Sequence, residues 1–174
     1  MNKEEIIIRE GTIADANAVH DFAFPIMQSF GLMLDPDGMD FELCHFGEHR
    51  IGTIAQLVAC HGGDVIGCIS LTRKIDSVAK LTGFYVSPEH RGLGAGKKLL
   101  QHAIMSAYRA GMAGIYLETW DAMVSAVKLY KSFGWYFLSC LPEGSGAQSS
   151  YYLDLNAHGS KSPDESRGWT SEYD

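Results

Sequence analysis

The 174-residue sequence contains no Cys-x-x-Cys pair; its four cysteines stand at positions 44, 60, 68 and 140, without zinc-ribbon spacing. A disulfide framework or a structural metal therefore has no support, and reduced thiols in a cytoplasm fit best. Long hydrophobic runs are missing as well. The opening MNKEEIIIREG offers three isoleucines among acids, so it reads as neither a secretory signal nor a membrane span, and no membrane partner is expected. Basic side chains are scarce, with 14 Lys and Arg against 21 Asp and Glu, a formal charge of −7. Such a field repels phosphate backbones, which argues against nucleic acid and requires any anion site to be local. A hydrophobic fraction of 46% excludes a disordered chain, and the length is that of one domain.

The elements follow from periodicity and punctuation. Ile6 to Ile8 is a β-branched run, after which Thr12 caps a helix with Asp15 at its third position. From Ala16 to about Leu34 apolar residues recur at helical spacing, and Pro25 and Gly31 predict two helical pieces with a bend. Asp35-Pro36-Asp37-Gly38 forms a turn. Two β-rich stretches between Thr53 and Leu71 flank His61-Gly62-Gly63 as a hairpin, and Lys80 to Val86 is a further strand. Gly94 to Ala110 is an amphipathic helix stopped by Gly111. Gly114 to Trp120 reads as a strand, Asp121 as the cap of a helix ending at Gly134, and Trp135 to Leu141 and Ser150 to Leu155 as two more strands. This order predicts a mixed α/β domain over residues 1–155, with helices covering a sheet. Residues 156–174 hold only Ala157, Trp169 and Tyr173 as hydrophobic members and read as an unstructured tail.

The chemistry concentrates in Val86-Ser87-Pro88-Glu89-His90-Arg91-Gly92-Leu93-Gly94-Ala95-Gly96-Lys97-Lys98, where a strand ends, glycines follow and a helix begins. Glycines let a backbone approach a ligand closely, and the open N–H groups of a first helical turn suit phosphate oxygens. A Walker loop is excluded because Lys98 stands where Ser or Thr is needed, and a dinucleotide fingerprint because Lys97 stands where Gly or Ala is needed. Arg91, Gly94 and Gly96 satisfy Arg-x-x-Gly-x-Gly, which resembles the signature of the GNAT superfamily of N-acetyltransferases, where it cradles the pyrophosphate of coenzyme A. Ala126-Val127-Lys128-Leu129-Tyr130-Lys131-Ser132-Phe133-Gly134-Trp135 resembles that family's fourth helix, and Tyr130 lies 39 residues after Arg91.

The resemblance implies a single domain with a mostly antiparallel sheet of about seven strands, splayed between the fourth and fifth, and about four helices. It implies acetyl-CoA as co-substrate, with no metal, and a small-molecule or peptide amine as acceptor; a homodimer is compatible with it. Cofactor contacts are expected from Phe84, Tyr85 and Val86 on the fourth strand. Arg91, Gly92, Leu93, Gly94, Ala95, Gly96, Lys97 and Lys98 are expected to supply others, with Ala126 on the fourth helix. Tyr130 takes the role of general acid for the leaving thiolate. Glu118, twelve residues before Tyr130, takes that of general base, on the argument that a desolvated carboxylate binds a proton more tightly. Met123 departs from the family pattern, standing where many members carry Asn. Asp35, Asp37, Asp40 and Glu42 fall in the region that shapes the acceptor pocket in that family. Cys44, His45 and His49 offer too few ligands to assign a metal. The alternative to an enzyme is an acyl-CoA-sensing domain with the same cradle and no productive acceptor site.

Overall fold

The computed structural model describes residues 5–157. Among them seven strands form one sheet: β1 (Ile7–Glu10), β2 (Thr53–His61), β3 (Asp64–Ile75), β4 (Val78–Val86), β5 (Gly114–Thr119), β6 (Tyr136–Cys140) and β7 (Ser149–Asp154), in the order β1-β2-β3-β4-β5-β7-β6. Every neighbouring pair is antiparallel except β4 and β5, which run parallel. Four α-helices accompany them: α1 (Ala16–Ser29), α2 (Phe41–Cys44), α3 (Ala95–Arg109) and α4 (Val124–Ser132). The expected mixed α/β fold is thus the observed one.

Two layers of side chains sandwich the sheet. Leu99, Leu100, Ala103, Ile104 and Ala107 recur along α3 at the spacing of one helical face and pack with Leu57, Leu71, Leu81, Ile115 and Leu117 of the strands. Truncating Leu99 or Leu100, both fully buried, to Ala costs about 2–5 kcal/mol. On the opposite face, Val19, Ala23 and Met27 of α1 meet Leu43, Phe46, Val58 and Cys68.

Local expectations hold with three corrections. α1 is one helix, not two pieces: Pro25 sits inside it and removes a single backbone donor without ending it, and the helix stops at Ser29 before Gly31. Thr12 does precede a helical turn, with the Asp15 carboxylate accepting its N–H at 2.8 Å, but that turn is a 3-10 segment leading into α1. Asp121 does not cap α4, which begins at Val124; the Asp121 carboxylate instead accepts a hydrogen bond from the Ser149 hydroxyl at 2.7 Å, tying the loop to β7. Most of the expected tail, residues 158–174, lies outside the described residues.

The feature that positions the site is a fork. β4 and β5 pair from Val78 opposite Gly114 to Leu81 opposite Leu117, and no further, although β4 continues to Val86. From Thr82 onward the β4 edge that faced β5 has no strand beside it among the described residues. A bulge accompanies the separation: Ser70 lies opposite Thr82 and Cys68 opposite Tyr85, so Gly83 and Phe84 together oppose Ile69. Bulges bend a strand and re-aim its groups, and this one lies where the strands part.

Candidate active site

A cavity of about 590 Å³ opens at the fork. Its walls are the outer half of β4, the N-terminal turn of α3, and the start of α4 with its preceding loop. Ten of the residues anticipated as cofactor contacts line it: Phe84, Tyr85, Val86, Arg91, Gly92, Gly94, Ala95, Gly96, Lys97 and Ala126. Leu93 and Lys98 do not. Leu93 is 43% exposed on the outside of the loop. Lys98 turns to the residues just before the first strand, where its ammonium donates to the Ile6 carbonyl at 2.9 Å and lies 3.7 Å from Glu5.

The mouth of α3 is open backbone. Its N-cap is Gly94, in the left-handed region at φ 87°, and no side chain caps the helix. The donors of a first turn are normally satisfied by a Ser, Thr, Asp or Asn at this position; here they stay available to a ligand. Gly96 serves differently. A Cβ there would meet Phe84, Val86 and Leu129 at 3.5–3.6 Å, ordinary contact distances, so the protein would tolerate the atom but the cavity would lose the space. Arg91, Lys97 and His90 add positive or protonatable groups to the wall of a chain that is acidic overall. A second depression of about 600 Å³ shares Ile26 and Arg91 with the first, but Asp21, Asp64 and Glu89 line it and suit no phosphate.

Tyr130 stands on α4 at 5% exposure, its ring 6.0 Å from that of Phe84 and 5.8 Å from that of Trp135. The helix end explains the second contact. Trp135 N–H donates to the Tyr130 carbonyl and Gly134 N–H to that of Lys131, the Schellman pattern, which brings the residue after the glycine against the one at the helix's last turn. Burial pushes the Tyr130 phenol well above its ordinary pKa, so it holds its proton at neutral pH.

Glu118 lies beyond the last β4–β5 pair and on the face opposite Leu117. Its carboxylate accepts from Lys80 Nζ at 3.0 Å and from the Tyr116 hydroxyl at 2.8 Å. Burial alone would raise its pKa, but the hydrogen bonds from Lys80 and Tyr116 and the charges of Lys80 and Lys74 outweigh burial and hold it below the usual glutamate value. That corrects the argument from desolvation: this carboxylate is kept ionised.

Sequence reasoning missed several walls of the cavity. Ile26 and Phe30 reach it from the end of α1, and Ala122, Val124, Ser125 and Leu129 from the α4 region. Leu129 lies within the fourth-helix segment but carried no role there, and the others belong to no motif; the chain path alone brings them there. Met123, where many relatives carry Asn, also lines the cavity and lies 3.9 Å by its sulfur from the Thr119 hydroxyl. Cys44, His45 and His49 do not gather: His45 bonds the Phe41 carbonyl and His49 that of Gly11. Among the described residues no group of three metal-ligating side chains forms, and no helix is long and apolar enough to cross a membrane.

The model of the acetyltransferase (GNAT) family matches residues 20–135, which span both the glycine loop and the Tyr130 helix. This chain belongs to that family. An uncharacterized N-acetyltransferase of Schizosaccharomyces pombe is 33% identical over 121 residues, covering 62% of this chain and 68% of its own length. Among solved structures, a GNAT-family acetyltransferase from Staphylococcus aureus superposes with a TM-score of 0.76 at 25% identity, over 87% of this chain and 99% of its own. A GCN5-related N-acetyltransferase from Kribbella flavida gives 0.71 at 25% identity, over 86% and 98%. A Salmonella typhimurium protein solved with its cofactor acetyl-CoA shares the fold, with a TM-score of 0.70 at 23% identity over 92% and 98%. The GNAT chain described here is accordingly an acyltransferase of the N-acetyltransferase class.

Proposed function

We propose that this acetyltransferase uses acetyl-CoA to acetylate a primary amine by direct attack within a ternary complex. The observation that carries the reading is the continuity of one cavity from the uncapped N-terminus of α3, past Gly96, to the unpaired edge of β4 at the fork. An anion fits the first part and an extended amide-bearing arm the second, since an unpaired strand edge takes an added strand. Bound there, acetyl-CoA supplies an activated acetyl thioester. The backbone of Arg91 to Lys97 holds the pyrophosphate, and the Phe84–Val86 edge pairs with the pantetheine arm. The bulge at Gly83 and Phe84 turns an amide toward the thioester carbonyl, where a fixed donor stabilises developing charge.

Proton traffic falls to two side chains. In the transfer, a nitrogen–carbon bond forms as the carbon–sulfur bond breaks; the ammonium must lose a proton and the thiolate gain one. Tyr130, a phenol that carries its proton at neutral pH, is the donor to sulfur. Glu118, ionised at neutral pH, attracts the acceptor's ammonium and accepts its proton directly or through water.

The test is incubation with acetyl-CoA and a panel of amino acids, polyamines, amine-bearing antibiotics and peptide N-termini, following free thiol and acetylated product. Thiol release that requires both partners is the expected result. Tight CoA binding with no release from any amine would instead fit an acyl-CoA-sensing domain.

A further inference from the structure

We propose that Lys80 is a positioning residue of this enzyme: its ammonium, with the Tyr116 hydroxyl as second tether, fixes the Glu118 carboxylate at the point where β4 and β5 separate. The inference rests on Glu118 being the group that meets the acceptor's amine. Three observations carry it.

Lys80 lies opposite Tyr116, not Glu118, in the β4–β5 register, so it leans along the strand direction to reach Oε2 at 3.0 Å. The two carboxylate oxygens are divided between two donors, Oε1 to Tyr116 and Oε2 to Lys80, which fixes the plane of the group and not only its charge. Both partners of the ion pair are mostly buried, with side-chain exposures of 25% and 18%, so solvent screens it less than a surface pair.

The groups that act on Glu118 come from three strands: Lys74 on β3, Lys80 on β4 and Tyr116 beside it on β5. On β7 its neighbour is Ser150, which is neutral. Lys74 is itself seated 4.5 Å over the Tyr116 ring and makes no hydrogen bond to the carboxylate, which leaves Lys80 as the direct cation. Without Lys80, burial would act on the carboxyl with less opposition, and the acid would hold its proton to higher pH. The role of Lys80 is therefore to keep a partly buried acid free to receive a proton.

The experiment is a carbon-13 NMR titration of the Glu118 carboxyl, assigned by its absence in Glu118→Gln, in wild type and in Lys80→Met, Lys80→Gln and Lys80→Arg. It is paired with the pH profile of kcat/KM for an amine that releases thiol in the panel assay. The expected result is a Glu118 midpoint that moves to higher pH in Lys80→Met and Lys80→Gln and stays low in Lys80→Arg, with the acid limb of kcat/KM following it. A purely structural pair would also lift the Glu118 midpoint and lower thermal stability, since pairing and titration are linked, but it would leave the acid limb of kcat/KM where it is in wild type. A midpoint unchanged in both neutral variants overturns the proposal, as does a midpoint that moves while the acid limb does not. Should Glu118→Gln retain the wild-type profile at every pH, the reading of Glu118 itself fails, and that failure is distinguishable because the NMR arm reports on Lys80 alone.

Discussion

The two sides of the β4–β5 fork are made of different materials. On the cofactor side, α3 opens without a side-chain cap, Gly94 and Gly96 keep Cβ atoms away, and the β4 edge is bare backbone from Thr82 onward. On the side we assign to the acceptor, the proposed working group is a side chain held by other side chains: Glu118 between Lys80 and Tyr116. Backbone recognition suits a ligand that does not vary, because it needs only space and open donors. Side-chain recognition suits a partner that differs between relatives, because each contact is exchanged by one substitution. The first side is therefore expected to fail through added atoms and the second through removed ones.

The largest effect expected is at Tyr130, whose ring packs against that of Phe84 on the bulge. Tyr130→Phe keeps the ring between Phe84 and Trp135 and removes only the hydroxyl, so turnover should fall roughly 10²- to 10⁴-fold while CoA affinity holds. Steady-state kinetics beside calorimetry checks this; wild-type turnover would make the tyrosine a packing residue.

A lesion remote from the fork separates frame from site. The Asp15 carboxylate takes two hydrogen bonds from Arg9, at 2.9 and 2.8 Å, and one from the Thr12 N–H, and these hold its pKa down at about 2 against an ordinary 3.8. A depressed pKa contributes stability that is complete above the unfolded value and is lost as pH falls through the folded one. Asp15→Asn should therefore cost about 1–2 kcal/mol at neutral pH, after allowance for the exposure of Arg9, and progressively less as pH falls from 3.8 toward 2. Denaturant unfolding at both pH values measures it, and CoA affinity at neutral pH should not change.

The smallest effect tests charge on the cofactor side. Arg91→Ala removes a cation from the cavity wall and should weaken CoA binding by about 0.5–1 kcal/mol, a partly screened contact. Lys98→Ala should leave binding unchanged, because that ammonium is engaged by Ile6 and Glu5. Equal losses in the two would mean that only overall charge matters.

The same division explains what was legible in the sequence. The place of Gly92, Gly94 and Gly96 on the cavity wall and of Tyr130 on α4 was readable because each is fixed within its own loop or helix turn, where spacing along the chain is spacing in the molecule. The strands and the α3 stripe were readable for the same reason. The Lys80–Glu118 pair was not, since 38 residues separate its members and only the parallel register joins them. The desolvation argument for Glu118 erred there, as it counted burial and could not count Lys80. Asp121 looked like a helix cap because its type favours one, but the Ser149 hydroxyl arriving from β7 engages its carboxylate, and α4 begins three residues later. Pro25 looked like a break, yet α1 continues through it, held by Ala23, Ile26 and Met27, all buried.

The claim that the side we assign to the cofactor is defined by missing side chains is tested most directly at Gly96, where the protein has room for a Cβ and the proposed ligand would lose that space. Gly96→Ala, which adds only that Cβ, should leave the cooperative unfolding transition in place and weaken CoA binding by about 1–3 kcal/mol in calorimetric titration, the usual cost of forcing a methyl group into a filled site. Wild-type affinity in a folded Gly96→Ala protein would contradict the account, because the cradle would then not lie between Gly96, Phe84 and Leu129.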